Sequence, residues 1–477
     1  MTRRFVWIAA AAGFVFAIAG FSQSKNQTPA QPTTRARTQP ELANPVPFRS
    51  ADGRITGWKV TIPGNRPLAS PAIAEGKVFV GGGFGSHEFY AFDAATGKRI
   101  WTYQTADDGP TAAAVSDGVI AFNTESCELE VITTAGRPLW KKWLGDPLMS
   151  MPAIADGVVY MAYPNSRGDG KYYLAAFDLK TGAERWKYPM AGEIITAPVI
   201  ERDRVYFATV NGSVVSLNRR DGAKVWQEDA NATSAPAVWN ERSYFSRRQQ
   251  TTLSQAGKPV VQQTELVASR AIAAPQSGLQ DLRATRQNAD YLDYAKRKQS
   301  ASERKSQAYD ASVGFGGAAK GSAVMAPAQA NIGQASVHGI WAYQGSKSFV
   351  DNGRLFSSMG NNAQSVDPNT GKVNWTRALR KGTDTAVDAV LTPPAIVNGK
   401  VFVGASSGEV YVLSAQTGDV LWKVDIGEPI SFQPAIAGGR VYVAANQGTL
   451  VCLNTNDPHD DGWLMWGATA AHNGRPR

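Results

Sequence analysis

The chain has 477 residues, of which 43% are apolar and 19% charged, with 13 Trp and 46 Gly. That length is too great for one simple core unless the core is modular, and the composition is that of an ordinary globular protein. The net charge of +9 does not mark a nucleic-acid binder: residues 1–50 carry six basic and one acidic residue, residues 249–338 carry ten and six, and the remainder sums to zero. A nucleic-acid surface needs its basic residues on the folded body, so no nucleic-acid partner is expected.

In chain order, Arg3 and Arg4 precede an apolar run from Phe5 to Phe21, with Ala17 and Ala19 in a small-x-small arrangement. Residues 1–24 therefore read as a secretory signal peptide. An uncleaved membrane anchor is the other reading, and it is the one route to a membrane partner; the run is at the short limit for a span. Either reading makes the protein exported, to the periplasm, the cell envelope or beyond. Residues 25–50, rich in Gln, Thr, Pro and Ala, read as a disordered linker.

From residue 51 a phrase repeats. "SPAIAEGKVFVGG" at 70–82 returns as "MPAIADGVVYMAY" at 151–163, "PPAIVNGKVFVGA" at 393–405 and "QPAIAGGRVYVAA" at 433–445. Each version is a short apolar strand after Pro, a Gly-containing tight turn and a second, alternating strand. A third strand follows, then a Thr-Gly turn and a strand opened by Trp, as in "AFDAATGKRIW" (91–101) and "AFDLKTGAERW" (176–186). Four antiparallel strands in about 40 residues make one propeller blade. Trp58, Trp101, Trp140, Trp186, Trp226, Trp341, Trp375 and Trp422 each open an outer strand and count eight blades. The last repeat lacks its own outer strand, while "GWKVTI" at 57–62 has nothing before it. The first therefore completes the last and closes the ring, leaving no open sheet edge. The expected fold is an all-β, eight-bladed propeller over 51–466 with a C-terminal tail over 467–477.

The phrase A-[FL]-D-x-x-T-G-x-x-x-W resembles the tryptophan-docking motif of the PQQ-like (quinoprotein) propeller superfamily. The resemblance covers residues 54–466 apart from an insert, and "WLMWGATAAHNG" (463–474) resembles the W-x-x-x-G segments of the same group. It implies that the eight Trp are structural wedges, each ring packed on the neighbouring blade. The superfamily holds PQQ-dependent dehydrogenases and non-catalytic propellers of the BamB type. The dehydrogenase reading implies PQQ and calcium as cofactors, a vicinal disulfide and an Asp base. This sequence has only Cys127 and Cys452, far apart and in blades that are not neighbours, so no disulfide is expected between them. His87, His338, His459 and His472 have no metal-ligand spacing. "NTNDPHDDG" (454–462) has the oxygen density of a calcium loop but reads as an Asx-rich turn. No catalytic residue, cofactor or metal is therefore expected. The leading expectation is a non-catalytic, monomeric scaffold with a protein or cell-envelope partner, and the resemblance extends that to outer-membrane protein assembly. The alternatives are a PQQ/calcium oxidoreductase and a carbohydrate-binding propeller using Trp143 or Trp239.

The insert, residues 271–338, sits in blade five after its third strand. Residues 277–309 lack Pro and are rich in helix formers, which predicts a helix or helical hairpin, and 314–333 are low-complexity. Leu279, Leu282, Tyr291, Leu292 and Tyr294 are the apolar residues by which such an arm could lie on a partner.

Overall fold

The computed structural model describes residues 42–145, 150–255, 258–273, 278–282, 286–287, 347–379 and 390–475. The chain divides into two units, Met1–Pro40 and Glu41–Arg477. The leader and most of the linker lie outside the described residues. Among those described there is no α-helix, and none long and apolar enough to cross a membrane.

The turn residues dictate the blade. Within blade one, the inner strand Ala72–Ala74 is followed by Glu75 and Gly76 at φ 52° and 68°, and then by Lys77–Gly81. Two successive left-handed residues give the hairpin turn whose twist matches its strands. Asp156-Gly157, Asn398-Gly399 and Gly438-Gly439 do the same in their own blades. Glu88–Asp93 and Arg99–Gln104 complete blade one, with antiparallel pairing throughout. The same four-stranded sheet recurs over 114–143, 153–190, 199–229, 349–378 and 395–425; the fifth blade, within 237–287, has four strands in order and one further short strand, and the eighth begins at Ala435–Ala437. The protein is an eight-bladed β-propeller.

Blade eight closes as the sequence predicts. Thr56–Thr61 pairs with Thr449–Asn454, with Trp58 opposite Cys452. The approach is close enough that a Cβ on Gly57 would lie 1.8 Å from the Cys452 carbonyl oxygen. Val46–Arg49 forms an additional strand outside Thr56–Thr61, so the linker expected through residue 50 ends earlier. An outer strand with an unpaired edge offers hydrogen bonds that the preceding chain can take. Cys127 and Cys452 are both buried and form no disulfide, as expected.

The Thr-Gly turn explains the repeated phrase. The Asp93 carboxylate accepts from the Thr96 hydroxyl (2.7 Å) and amide (2.8 Å), and Gly97 N–H donates to the Asp93 carbonyl (2.8 Å). The Thr96 hydroxyl bond holds the Asp93 carboxyl below its usual range. The turn then receives a ring from the blade before it. Trp58, Trp101, Trp140, Trp186 and Trp375 donate their indole N–H to Ala94, Thr134, Leu179, Arg219 and Ala415 carbonyls at 2.9–3.2 Å. Their rings lie on Gly97, Gly136, Gly182, Gly222 and Gly418, where an added Cβ would come within 2.5–2.8 Å. Five of the eight expected wedges thus have the same partner and the same bond. Trp226 has a different partner, described below. Trp422 is half-buried against the core between blades six, seven and eight. Trp341 lies outside the described residues.

The helix expected over 277–309 is corrected at its start. Gln280–Asp281 and Arg286–Gln287 are short strands paired with Lys258–Ala271, and Gln280–Asp281 takes the outer position of blade five that Trp341 was expected to open. The edge of the third strand outweighs local helix preference there. The rest of that stretch lies outside the described residues.

Candidate functional site: the filled channel and blade five

Each inner strand has three residues, and its central N–H points away from the second strand, toward the ring axis. The chain's own C-terminal segment uses these donors. Ile436 N–H donates to Trp463 O (2.6 Å), Ile73 to Leu464 O (2.7 Å), Ile154 to Ala470 O (2.7 Å) and Ile200 to Ala471 O (2.8 Å). Residues 463–474 therefore run along the inner edges of blades eight, one, three and four, and they fill the channel. The segment folds on itself: Gly474 N–H donates to Gly467 O (2.9 Å), and Gly467, at φ 72°, donates to Gln433 Oε1 (2.8 Å). Trp463, Trp466 and His472 are buried. The boundary expected at residue 466 is corrected here, because residues 467–474 belong to the core of the ring.

Lys347 joins the segment from blade six. It is wholly buried, its Nζ donates to His472 O (3.0 Å), and it lies over the rings of Trp466 (4.5 Å) and Phe349 (5.1 Å). Phe349 meets Trp463 edge to face at 4.9 Å. The ring nitrogens of His472 face Trp466 O (2.7 Å, Nδ1) and Pro152 O (2.9 Å, Nε2). Burial pushes His472 down to about 4; the carbonyl of Pro152 opposes that, and the nearby Lys347 ammonium reinforces it. A neutral folded state loses stability where the unfolded chain takes a proton and the folded one does not. Stability should therefore fall as pH drops from the ordinary His value of 6.5 toward 4, by roughly 3 kcal/mol in all. Denaturant midpoints measured at several pH values should show this slope in wild type and not in His472→Gln.

Blade five departs from its neighbours. Its second and third strands, Arg242–Gln255 and Lys258–Ala271, have 14 residues each, against five or six in blade one. The excess of about nine residues per strand projects a two-stranded ribbon about 30 Å beyond the sheet. In an antiparallel blade the connection between second and third strands lies at the face opposite the Thr-Gly turns, so the ribbon rises from that opposite face. Blade five also lacks a Thr-Gly turn among its described residues. Trp226 instead meets the guanidinium of Arg270 at 3.9 Å from its ring centre. Arg270 is fully buried and donates to Glu228 Oε2 (3.2 Å) and Ala271 O (2.9 Å). A planar cation has replaced a peptide plane as the docking surface. Arg270→Ala should cost about 2–3 kcal/mol in denaturant unfolding, and Arg270→Lys should recover less than half of that, because an ammonium cannot stack as a plane.

The family model described as "Outer membrane protein assembly factor BamB" matches residues 48–135, 130–289 and 341–468. The chain belongs to this family. The BamB protein of Burkholderia pseudomallei is 25% identical over 177 residues, 36% of this chain and 44% of that protein. The quinoprotein ethanol dehydrogenase of Pseudomonas aeruginosa is 32% identical over 104 residues, 19% of this chain and 16% of that enzyme. The matched stretch thus spans less than half the length of either relative. The crystal structure of BamB from Moraxella catarrhalis superposes with a TM-score of 0.53 at 14% identity, covering 87% of this chain and 99% of that one. The BamB-family match leaves residues 290–340 unmatched.

Seen as a BamB-family propeller, the chain has committed most of its candidate site residues to packing. Leu282 is buried beside Tyr244 and Val267, and Leu279 packs on the core that contains Trp226. Leu282 is thus core rather than a partner contact, which corrects that expectation, whereas Leu279 stays half-buried. Tyr291, Leu292 and Tyr294 lie outside the described residues. Trp143 is covered by the Arg167 guanidinium at 4.2 Å, and Trp239 packs with Leu282. Among the described residues no three His, Cys, Asp or Glu side chains are placed to hold a metal ion. The oxygen-rich loop at 454–462 faces an ammonium: Lys400 Nζ donates to Asp457 (2.7 Å) and Asp460 (2.8 Å), and Asn398 donates to both (2.9 Å). Burial draws Lys400 down, but the two carboxylates outweigh it and hold it above its usual value.

Proposed function

We propose that this protein is a non-catalytic, exported propeller that serves as a protein-interaction scaffold in the cell envelope, in the assembly of outer-membrane proteins. The observation that carries this reading is the filled channel: the axis is spent on the chain's own carboxyl-terminal segment, which leaves the faces and the blade-five ribbon as the surfaces for work. Membership of a family described as an outer-membrane assembly factor supports the same reading. The partner is a protein of the envelope, and the ring acts as a monomer. Loss of the protein should lower the amount of folded barrel proteins in the outer membrane. A variant in which Asn-Gly replaces residues 249–264 should fold normally and fail to restore them. Unchanged barrel-protein levels in cells lacking the protein would rule the proposal out.

The second reading is a quinoprotein oxidoreductase, favoured by the match to an ethanol dehydrogenase. Titration of the full chain with PQQ and calcium separates the two. Micromolar binding with dye reduction by an alcohol establishes the enzyme.

A further inference from the structure

The ribbon of blade five has one blunted edge and one open edge. Its strands, Arg242–Gln255 and Lys258–Ala271, pair without a register shift, so the direction of successive backbone groups alternates regularly up to the tip. On the first strand the even-numbered residues face outward: Ser246 O accepts from Thr233 N–H (2.8 Å), and Arg248 N–H donates to Asn231 O (3.0 Å). By the same alternation Gln250, Thr252 and Ser254 direct their N–H and C=O groups outward. Among the described residues no strand pairs with them on that side. On the second strand the outward residues opposite these three are Gln263, Val261 and Pro259. Pro259 has no N–H to donate, and Arg286–Gln287 already pairs with Thr264 and Glu265, next to Gln263. A proline and a covering segment are two of the devices that protect a sheet edge. The first strand has neither: residues 249–257 contain no Pro and no charged side chain.

We infer that this open edge takes up, antiparallel, an extended strand of an outer-membrane barrel protein that has not yet closed its own sheet. The inference rests on the scaffold reading above and names its client. Gln250, Thr252 and Ser254 offer a donor and an acceptor each, over about 20 Å, which suits one short strand. The chain already uses this device on itself, adding Val46–Arg49 outside blade eight and Gln280–Asp281 outside the second ribbon strand. The client follows from what the edge presents. With no charge between residues 249 and 257, a charged segment gains nothing there. Recognition falls to the backbone, as in strand addition generally. A barrel strand is extended, alternates apolar and polar residues, and has about 9–11 residues, close to the ribbon's excess of about nine.

A fluorescein-labelled peptide of about ten residues, alternating Val and Thr, tests this on the full-length protein. Its binding should slow hydrogen exchange at the Gln250, Thr252 and Ser254 amides by at least about tenfold. Thr252→Pro removes the central outward donor and breaks no bond to the second strand, so it should weaken binding by at least about tenfold. Val261→Pro is the matched control, directly opposite on the blunted edge, and should bind within about twofold of wild type. Equal weakening in the two variants, or binding that leaves those three amides unchanged, overturns the proposal. So does protection of the same amides in the free protein, whether by this chain or by a second copy seen in sedimentation. If Thr252→Pro does not fold, amide exchange in the wild type decides alone. Lowered barrel-protein levels in cells lacking the protein, with no peptide binding, would sink this inference alone; unchanged levels would sink the scaffold reading with it.

Discussion

A chain ending at Gly462 should fail to form a stable ring, whereas one ending at Gly474 should melt like the full chain. The shorter chain loses Trp463, Met465 and Trp466, all buried, along with four backbone hydrogen bonds to inner strands. Emptying one large aromatic site costs roughly 3–5 kcal/mol. Two such losses, with about 2–5 kcal/mol more for Met465, reach about 10 kcal/mol, which is the scale of a whole domain's stability. The four N–H groups of Ile73, Ile154, Ile200 and Ile436 would also face an empty axis. Water could enter and satisfy them, so the packing loss dominates. The segment ties blade eight to blades one, three and four, which are not all neighbours. Its removal should therefore abolish cooperative melting, read by near-ultraviolet circular dichroism. A cooperative transition within a few degrees of wild type would show that the blades close without it.

The ring was legible because its information is local and repeated. The Thr-Gly turn, the tryptophan after it and the Gly-containing hairpin lie within one short phrase, and each copy restates the same geometry. Closure was legible for a related reason: "GWKVTI" had no blade of its own, and the last repeat lacked an outer strand. The carboxyl-terminal segment was not placed, because its burial comes from bonds to four distant blades and no local period announces them. The apolar density of "WLMW" was the available signal for a core segment. Blade five misled for the opposite reason. Residues 249–263 are rich in Gln and Thr and lack the alternation that marks a half-buried strand, so no local pattern signals their extension as a ribbon. Residues 278–282 follow local helix propensity in the sequence but pair with an adjacent strand edge in the fold, where Leu282 becomes core.

Gly97→Ala should destabilise the ring by about 3–5 kcal/mol, whereas Gly76→Ala should cost about 1 kcal/mol. The two positions share a backbone conformation, with φ of 71° and 68°. An alanine therefore meets the same left-handed strain at both. They differ in what surrounds them. Nothing lies within 4 Å of a Cβ on Gly76, while a Cβ on Gly97 would come within 2.6 Å of the Trp58 ring. The ring cannot retreat without giving up its bond to the Ala94 carbonyl, and Tyr442, whose hydroxyl also donates to Ala94 O, has its ring centre 6.2 Å away. The substitution thus expels the wedge between blades eight and one, at the seam where the chain's two ends meet. Trp58→Ala should cost a similar amount, and the double variant little more than either single one, because both remove the same contact. Equal losses at Gly97 and Gly76 in urea unfolding would mean that backbone strain alone explains the glycine. The docking of indole on turn would then contribute little to holding one blade against the next.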